Sequence, residues 1–234
     1  MAIKLIIAGI AGRMGGRLRA LAAQDPGLTV VYGLEAPSVV VTFPGIPIGS
    51  DKSSIQKGDV VLDFTVAEAA IKLLPDVLRY RKAMVIGTTG FSAEEEAKIA
   101  QASKEIPIVI SSNMSLGVNV FFKAAQEIAK ALPNYAVHIQ ETHHTKKKDA
   151  PSGTALQAGR LIEKVSRQKV TYESFREGDV IGEHRIIFKG PSDRLELLHH
   201  ADSRDILAGG ALQAAKWVAG RDPGLYSMRD VLGL

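Results

Sequence analysis

The stretch that decides the fold is IKLIIAGIAGRMGGRLRALAAQ, residues 3–24. Its first part, Ile3 to Ala8, is a continuous apolar run, which predicts a β-strand buried on both faces of a parallel sheet. Helical spacing of apolar residues follows from Arg13 to Gln24. A strand, a glycine-containing turn and a helix in this order are typical of the first βα unit of a nucleotide-binding α/β sheet.

The turn between this strand and helix contains Gly9, Gly12 and Gly15, with Ala11 where the commoner G-x-G-x-x-G pattern has its middle glycine. Small residues allow a tight turn, let the backbone approach a pyrophosphate and let the helix pack on the strand. Helix amides then hold the phosphates. Glu35 follows the second predicted strand, where an acidic residue binds the adenosine ribose in dinucleotide folds. The pattern favours a dinucleotide site over a purely structural glycine turn.

The remainder of the first half continues the alternation of strands and helices. Strands are predicted at 28–34, 59–64, 83–87 and 106–111, and helices at 67–81 and from residue 92. This order predicts an α/β fold with a doubly wound parallel sheet. Polar or small residues end three strands, at 63–65, 87–90 and 112–113, and because ligands bind outside the carboxyl ends of such strands, we expect these ends to line one crevice.

The second half is organised differently. Helices are predicted at 116–132, 153–167 and 206–219, and strands at 135–144, 170–175, 184–189 and 194–200. Several strands without helices between them predict an α+β domain. The change of pattern predicts two domains, and the final helix, 206–219, with the tail after it could belong to either of them. Alternation in the strand at 135–144 places Glu141 on the same face as Val137 and Ile139.

The stretch ETHHTKKKDAPSGTA, residues 141–155, combines two histidines, three lysines and a predicted helix start. A metal site is disfavoured, because His143 and His144 are adjacent in an extended segment and point in opposite directions. A nucleic-acid site is disfavoured because three lysines without interleaved aromatic residues fall short of a basic tract. A third interpretation is a site for a small dicarboxylate, held by ammonium groups and helix amides, with a proton donor. The crowded cations are expected to lower the pKa values of nearby histidines and lysines toward the range of useful acids.

Composition limits the other possibilities. The 234 residues carry a net charge of +4, with 46% hydrophobic and 23% charged residues, which suits a globular protein with an anionic ligand and not a nucleic-acid-binding one. There is no cysteine, which excludes disulfides and thiolate chemistry. The apolar start is interrupted by glycines and Arg13 and does not resemble a signal peptide, and no membrane span is expected. We expect a cytoplasmic protein.

Seven motifs carry a specific resemblance to one family. They are GIAGRMG, DFT, MVIGTTG, SNMSLGVN, ETHHTKKKDAPSGTA, GDVIGEH and GLYSMRDVL, and the match extends from about residue 3 to 232. Their order resembles that of the 4-hydroxy-tetrahydrodipicolinate reductase family, also called dihydrodipicolinate reductase. The resemblance implies a homotetramer of two-domain chains. A Rossmann domain formed by 1–114 and 206–234 would include the C-terminal helix, and a mixed-sheet domain formed by 115–205 would serve for substrate binding and oligomerisation. It also implies NAD(P)H-dependent reduction in the diaminopimelate route to lysine.

Roles follow from the resemblance motif by motif. His143 is implied as the catalytic histidine and Lys147 as the proton donor, with no metal ion involved. Substrate-binding residues are implied at His144, Gly153 and Thr154. Cofactor-binding residues are implied at Gly9, Ile10, Ala11, Gly12, Arg13, Met14, Glu35, Gly87, Thr88, Thr89, Ser111, Ser112, Asn113 and Met114. Thr145 and Lys146 depart from the commonest family pattern, which has Arg and His there.

Cofactor preference is predicted from the residues after the second strand. A carboxylate there binds the ribose 2′-hydroxyl of NADH and repels a 2′-phosphate. Glu35 is followed by Ala36, Pro37 and Ser38, so no adjacent cation offsets this repulsion. We expect NADH to be favoured and NADPH to be used as well. Two other functions remain open from the residues alone, namely another small-substrate dehydrogenase and a non-catalytic dinucleotide sensor.

Overall fold

The computed structural model describes residues 1–234, which form two compact units. The parallel-sheet unit comprises Met1–Ser115 and Leu207–Leu234, and the mixed-sheet unit comprises Leu116–Ile206. In the first segment the elements are β1 Ile3–Ala8, α1 Arg13–Ala22, β2 Leu28–Leu34, β3 Ile48–Gly49, a 3-10 helix Lys52–Lys57, β4 Val60–Asp63, α2 Ala67–Arg79, β5 Ala83–Ile86, α3 Ala93–Ala102 and β6 Pro107–Ile110. They are followed by α4 Leu116–Ala131, β7 Ala136–His143, α5 Gly153–Val165, β8 Val170–Arg176, β9 Glu183–Lys189, β10 Arg194–His200, α6 Asp205–Val218, β11 Gly224–Tyr226 and α7 Met228–Leu232.

The parallel-sheet unit contains a seven-stranded sheet in the order β11-β6-β5-β4-β1-β2-β3. Every neighbouring pair is parallel. All four residues of β4 and of β5 are buried, as expected for strands covered on both faces. The predicted doubly wound α/β sheet is confirmed. The strand order reverses between β1 and β4, so the carboxyl ends of these two strands border the switch point where such sheets bind ligands.

The sequence did not reveal β3 and β11, which have two and three residues. Strands this short show no periodic pattern, and each is defined by its pairing with β2 or β6.

Helix starts were easier to locate. Ser92 caps α3 in a reciprocal capping box with Glu95, the arrangement that a Ser followed three residues later by Glu predicts.

The mixed-sheet unit contains a four-stranded sheet in the order β10-β9-β7-β8. β7 and β8 are parallel, joined through α5, and β9 is antiparallel to both β7 and β10. Helices α4 and α5 share a core with the sheet, in which Phe121, Ile139, Ile162 and Phe188 are buried. The strand and helix types predicted for this half are confirmed, and the sheet is mixed.

Candidate active site

The turn after β1 has the geometry of a phosphate-binding loop. Gly9 has a φ of +72°, a left-handed conformation that favours glycine. Gly12 is the N-cap of α1, and no side chain caps the helix there. A Cβ atom on Gly15 would lie 2.2 Å from the Gly9 carbonyl oxygen, so only glycine lets α1 pack this closely. The first-turn amides, including those of Arg13 and Met14, therefore form the positive end of a helix without a side-chain acceptor.

Glu35, directly after β2, lies against this turn. The Ala11 amide donates a hydrogen bond to Glu35 Oε1 at 2.6 Å. Both Gly9 and Glu35 border a cavity of about 600 Å³ at the carboxyl ends of β1, β2 and β4. The glycine turn, the carboxylate and the cavity lie together, as a site for the phosphate and ribose parts of a dinucleotide would require.

The carboxyl ends of β4 and β5 are joined by a buried carboxylate. Asp63 is fully buried and accepts hydrogen bonds from the Thr88 hydroxyl at 2.5 Å and the Thr65 hydroxyl at 3.1 Å. Burial raises the pKa of Asp63, and the bonds from both threonines oppose that rise. The sequence identified 63–65 as a strand end, but the contact with Thr88 depends on the pairing of the two strands.

A second cavity, of about 350 Å³, lies at the ends of β5, β6 and β11. Four of the predicted cofactor residues line this cavity: Thr88, Thr89, Ser111 and Ser112. The Ser111 hydroxyl donates to the Asn113 carbonyl at 2.8 Å, which closes the turn after β6. Gly87 packs against the ring of Phe64, where a Cβ would lie 2.0 Å from Cε1, and Met114 is buried.

In the mixed-sheet unit, the predicted alternation of β7 places a carboxylate and an imidazole on the helix-covered face. Glu141 is 1% exposed and His143 is 9% exposed. A Glu141 carboxylate oxygen is hydrogen-bonded to His143 Nδ1, and the Ser152 amide donates to the other oxygen at 3.2 Å. A carboxylate hydrogen-bonded to Nδ1 fixes the orientation of the ring. The sequence placed Glu141 on this face but assigned it no role.

Lys147 is less exposed than the two lysines next to it in the sequence. Its side chain is 22% exposed and forms an ion pair with Asp149 at 2.9 Å, whereas Lys146 and Lys148 are exposed. The Lys147 amide donates to the His144 carbonyl at 3.0 Å, which forms a turn in the loop. His144 Nε2 lies 3.4 Å from a guanidinium nitrogen of Arg204.

The N-terminus of α5 meets the Glu141–His143 pair. Ser152 caps the helix by accepting from the Ala155 amide, and its hydroxyl is 3.0 Å from His184 Nε2. Gly153 and Thr154, the predicted substrate residues, form the first turn of α5. His184 packs edge-on against His143 with ring centroids 5.1 Å apart. The sequence signal for His184 was the GDVIGEH motif, from which no role was inferred.

The cause of the pKa shift at His143 differs from the one expected. The sequence suggested that crowded cations would lower the pKa of His143. The pKa of His143 is lowered first by burial, is raised by Glu141, and is lowered again by Lys147 and Arg176. Burial therefore contributes more than the cations, and Lys147 is itself neutralised in part by Asp149. No group of three His, Asp or Glu side chains is arranged to hold a metal ion.

A pH dependence of stability follows from His184. Burial lowers its pKa to about 3, so the folded protein keeps this ring neutral at pH values where the unfolded chain, with a pKa near ~6.5, takes up a proton. The stability is fully present above pH ~6.5 and falls as the pH decreases toward ~3, by about 2 kcal/mol at pH 5. Urea unfolding at pH 7 and pH 5 should show a smaller loss for His184→Gln than for the parent chain. Equal losses would assign the acid sensitivity to other groups.

A parallel sheet with a glycine turn after its first strand, together with a second unit that carries a histidine–lysine cluster, is the arrangement expected of a nicotinamide-dependent oxidoreductase. Family models for dihydrodipicolinate reductase match residues 3–114, by its N-terminal part, and 117–232, by its C-terminal part. The chain belongs to the dihydrodipicolinate reductase family.

Individual relatives agree with this assignment. A 4-hydroxy-tetrahydrodipicolinate reductase of Geobacter metallireducens is 38% identical, with 99% of each chain covered. The enzyme of the same name from Syntrophus aciditrophicus is 39% identical, covering 99% of this chain and 98% of its own. Among solved structures, the dipicolinate-bound dihydrodipicolinate reductase of Paenisporosarcina sp. TG-14 has the same fold, with a TM-score of 0.87 at 23% identity over 97% of this chain and 98% of its own. No helix is long and apolar enough to cross a membrane.

Proposed function

We propose that this chain is an NAD(P)H-dependent 4-hydroxy-tetrahydrodipicolinate reductase of the diaminopimelate route to lysine. The observation that carries the proposal is the cluster of Glu141, His143 and Lys147 at the start of α5, in a chain that matches the family along its length. A dicarboxylate fits this cluster, because ammonium groups and first-turn amides both bind carboxylates.

The parallel-sheet unit is proposed to bind the cofactor and the mixed-sheet unit to bind the substrate. The glycine turn and Glu35 would hold the pyrophosphate and the ribose, and the cavity at 87–90 and 111–112 would border the nicotinamide. When bound, the reduced nicotinamide supplies a hydride to the conjugated C=C–C=N system of the substrate. Lys147 Nζ is proposed to donate the accompanying proton, and His143 to position the substrate beside it. His144, Gly153 and Thr154 would contact the carboxylates.

A coupled assay tests the function. Pyruvate and aspartate semialdehyde are supplied with the synthase that forms the substrate, and the absorbance of NADH is followed. Enzyme-dependent loss of absorbance is expected. A rate no higher than that without enzyme would contradict the proposed reaction.

The cofactor preference is proposed to favour NADH, with NADPH used at a higher KM. Lys52 and Lys72 line the cavity beside Glu35, but each already pairs with a carboxylate. Lys52 is 2.8 Å from Asp76, and Lys72 is 2.5 Å from Glu68. These cations are remote in sequence from Glu35, and recruiting one for a 2′-phosphate would break an existing ion pair.

Introducing a cation next to Glu35 should shift this preference. Ala36→Arg is expected to improve kcat/KM for NADPH relative to NADH by roughly 10- to 150-fold, the range of one charge-assisted hydrogen bond of about 1.5–3 kcal/mol. Steady-state kinetics with both cofactors measure the ratio, and Ala36→Gln provides a control without the charge. An unchanged ratio in both variants would show that the 2′-phosphate does not lie beside residue 36.

A homotetramer is proposed through the face of the mixed sheet that α4 and α5 do not cover. Phe175 on β8 and Leu198 on β10 are exposed on that face, at 42% and 55%. Light scattering of the purified protein measures the assembly directly.

A further inference from the structure

The fully buried carboxylate of Glu141 has a cationic partner outside the motif that contains it. Arg176, at the end of β8, is the parallel-ladder neighbour of His143. Its Nη1 donates to Glu141 Oε2 at 3.1 Å and its Nη2 donates to Oε1 at 3.0 Å. This two-point geometry is the strongest arrangement between arginine and a carboxylate, and a lysine cannot reproduce it.

The other donors of the same guanidinium reach the loop that carries Lys147. Arg176 Nε donates to the Lys147 carbonyl at 3.3 Å, and Nη2 donates to the Asp149 carbonyl at 2.6 Å. One side chain thus links the carboxylate that orients His143 to the backbone on either side of Lys148. At its start the loop is held by the Thr145 amide, which donates to the Gly178 carbonyl at 3.2 Å, and residues 145, 146 and 148–150 are exposed.

Arg176 also affects the balance of charge among the groups around His143. The groups that face His143 are Glu141 on its own strand, Lys147 in the loop, Arg176 on β8 and His184 on β9. Burial alone raises the pKa of Glu141, but the bonds from Arg176, Ser174 and His143 keep it below its usual range. Without Arg176, the charge of Glu141 would be balanced mainly by a proton on His143, because an unpaired buried charge is strongly unfavourable.

We propose that Arg176 is a positioning residue of the reductase site, which keeps His143 neutral by neutralising Glu141 and holds the Lys147 loop by its carbonyl groups. This inference rests on the proposed function for the meaning of His143 and Lys147. The contacts themselves do not depend on it.

The test uses Arg176→Met, which removes the charge, and Arg176→Lys, which keeps the charge and loses the two-point geometry. The pKa of His143 is measured by NMR titration, with its signal assigned from a His143→Gln spectrum. Arg176→Met should raise the pKa of His143 and lower kcat by about 100-fold, as expected when a reacting group is displaced by about 1 Å. Arg176→Lys should leave the pKa of His143 near that of the parent chain while kcat remains low. Arg160→Met, an exposed arginine on α5, is the control and should change neither quantity.

The outcomes separate the possibilities. An unchanged pKa of His143 in Arg176→Met, with or without a loss of thermal stability, would overturn the charge role. Full kcat in Arg176→Lys would overturn the role in holding the loop. If Arg176→Met does not fold, Arg176→Gln, which also removes the charge, replaces it in the pKa measurement, and the comparison of Arg176→Lys with the parent chain still tests the loop role by kcat. Absence of reductase activity in the parent chain would contradict the proposed function. The NMR titration would then still test whether Arg176 sets the pKa of His143.

Discussion

Replacing Lys147 by alanine is expected to lower kcat by about 10²–10⁴-fold, the contribution typical of a general acid. The affinity for NADH should be unchanged, because the predicted cofactor residues all belong to the parallel-sheet unit and Lys147 belongs to the mixed-sheet unit. Single-turnover rates and calorimetric titration with NADH measure the two quantities.

The two neighbouring lysines provide matched controls. Lys146→Ala and Lys148→Ala each remove one ammonium group from the same loop, but both side chains are exposed, whereas Lys147 is partly buried and paired with Asp149. We expect small effects from both, because neither lysine is the proposed proton donor, whereas the net charge of the loop falls by one in all three variants. Equal losses in the three variants would show that the loop acts only through its total charge and has no single proton donor.

The sequence predicted the parts of this site that depend on local patterns. The alternation of β7 correctly placed Glu141 inside, and the small residues after β1 correctly indicated a close approach of strand and helix. It could not predict the partner of Glu141, because Arg176 is 35 residues away and meets it only when β8 pairs with β7 in this register.

The same limit applies to the bond between Asp63 and Thr88. Each residue was recognised as the end of a strand, but their contact is set by the pairing of β4 with β5. The burial of His184 is likewise a property of the assembled sheet and helix, and a single histidine in a sequence carries no signal of it. The electrostatic partners in the site are therefore set by long-range strand pairing, whereas its main-chain geometry is set by local sequence patterns.

The turn after β1 allows a sharp test of that geometry with two adjacent glycines. Gly15→Ala would place a Cβ 2.2 Å from the Gly9 carbonyl oxygen and 2.6 Å from Ile10 Cα. Both are backbone atoms, so neither can rotate away, and α1 would have to move from β1. Overpacking of this kind destabilises a protein by typically about 1–3 kcal/mol.

The same displacement should also weaken cofactor binding. The first-turn amides of α1 would no longer point at one phosphate position, and losing one charge-assisted hydrogen bond of roughly 1.5–3 kcal/mol lowers affinity about 10- to 150-fold. Gly16→Ala is the matched control, because nothing lies within 4 Å of the Cβ it would add. Alanine in a helix interior is favoured over glycine by up to ~1 kcal/mol, so this variant should be as stable as the parent chain or more stable. Calorimetric titration with NADH and thermal unfolding of both variants make the comparison. If Gly15→Ala binds NADH as tightly as Gly16→Ala does, the pyrophosphate does not contact this turn, and the close packing of α1 on β1 is only structural.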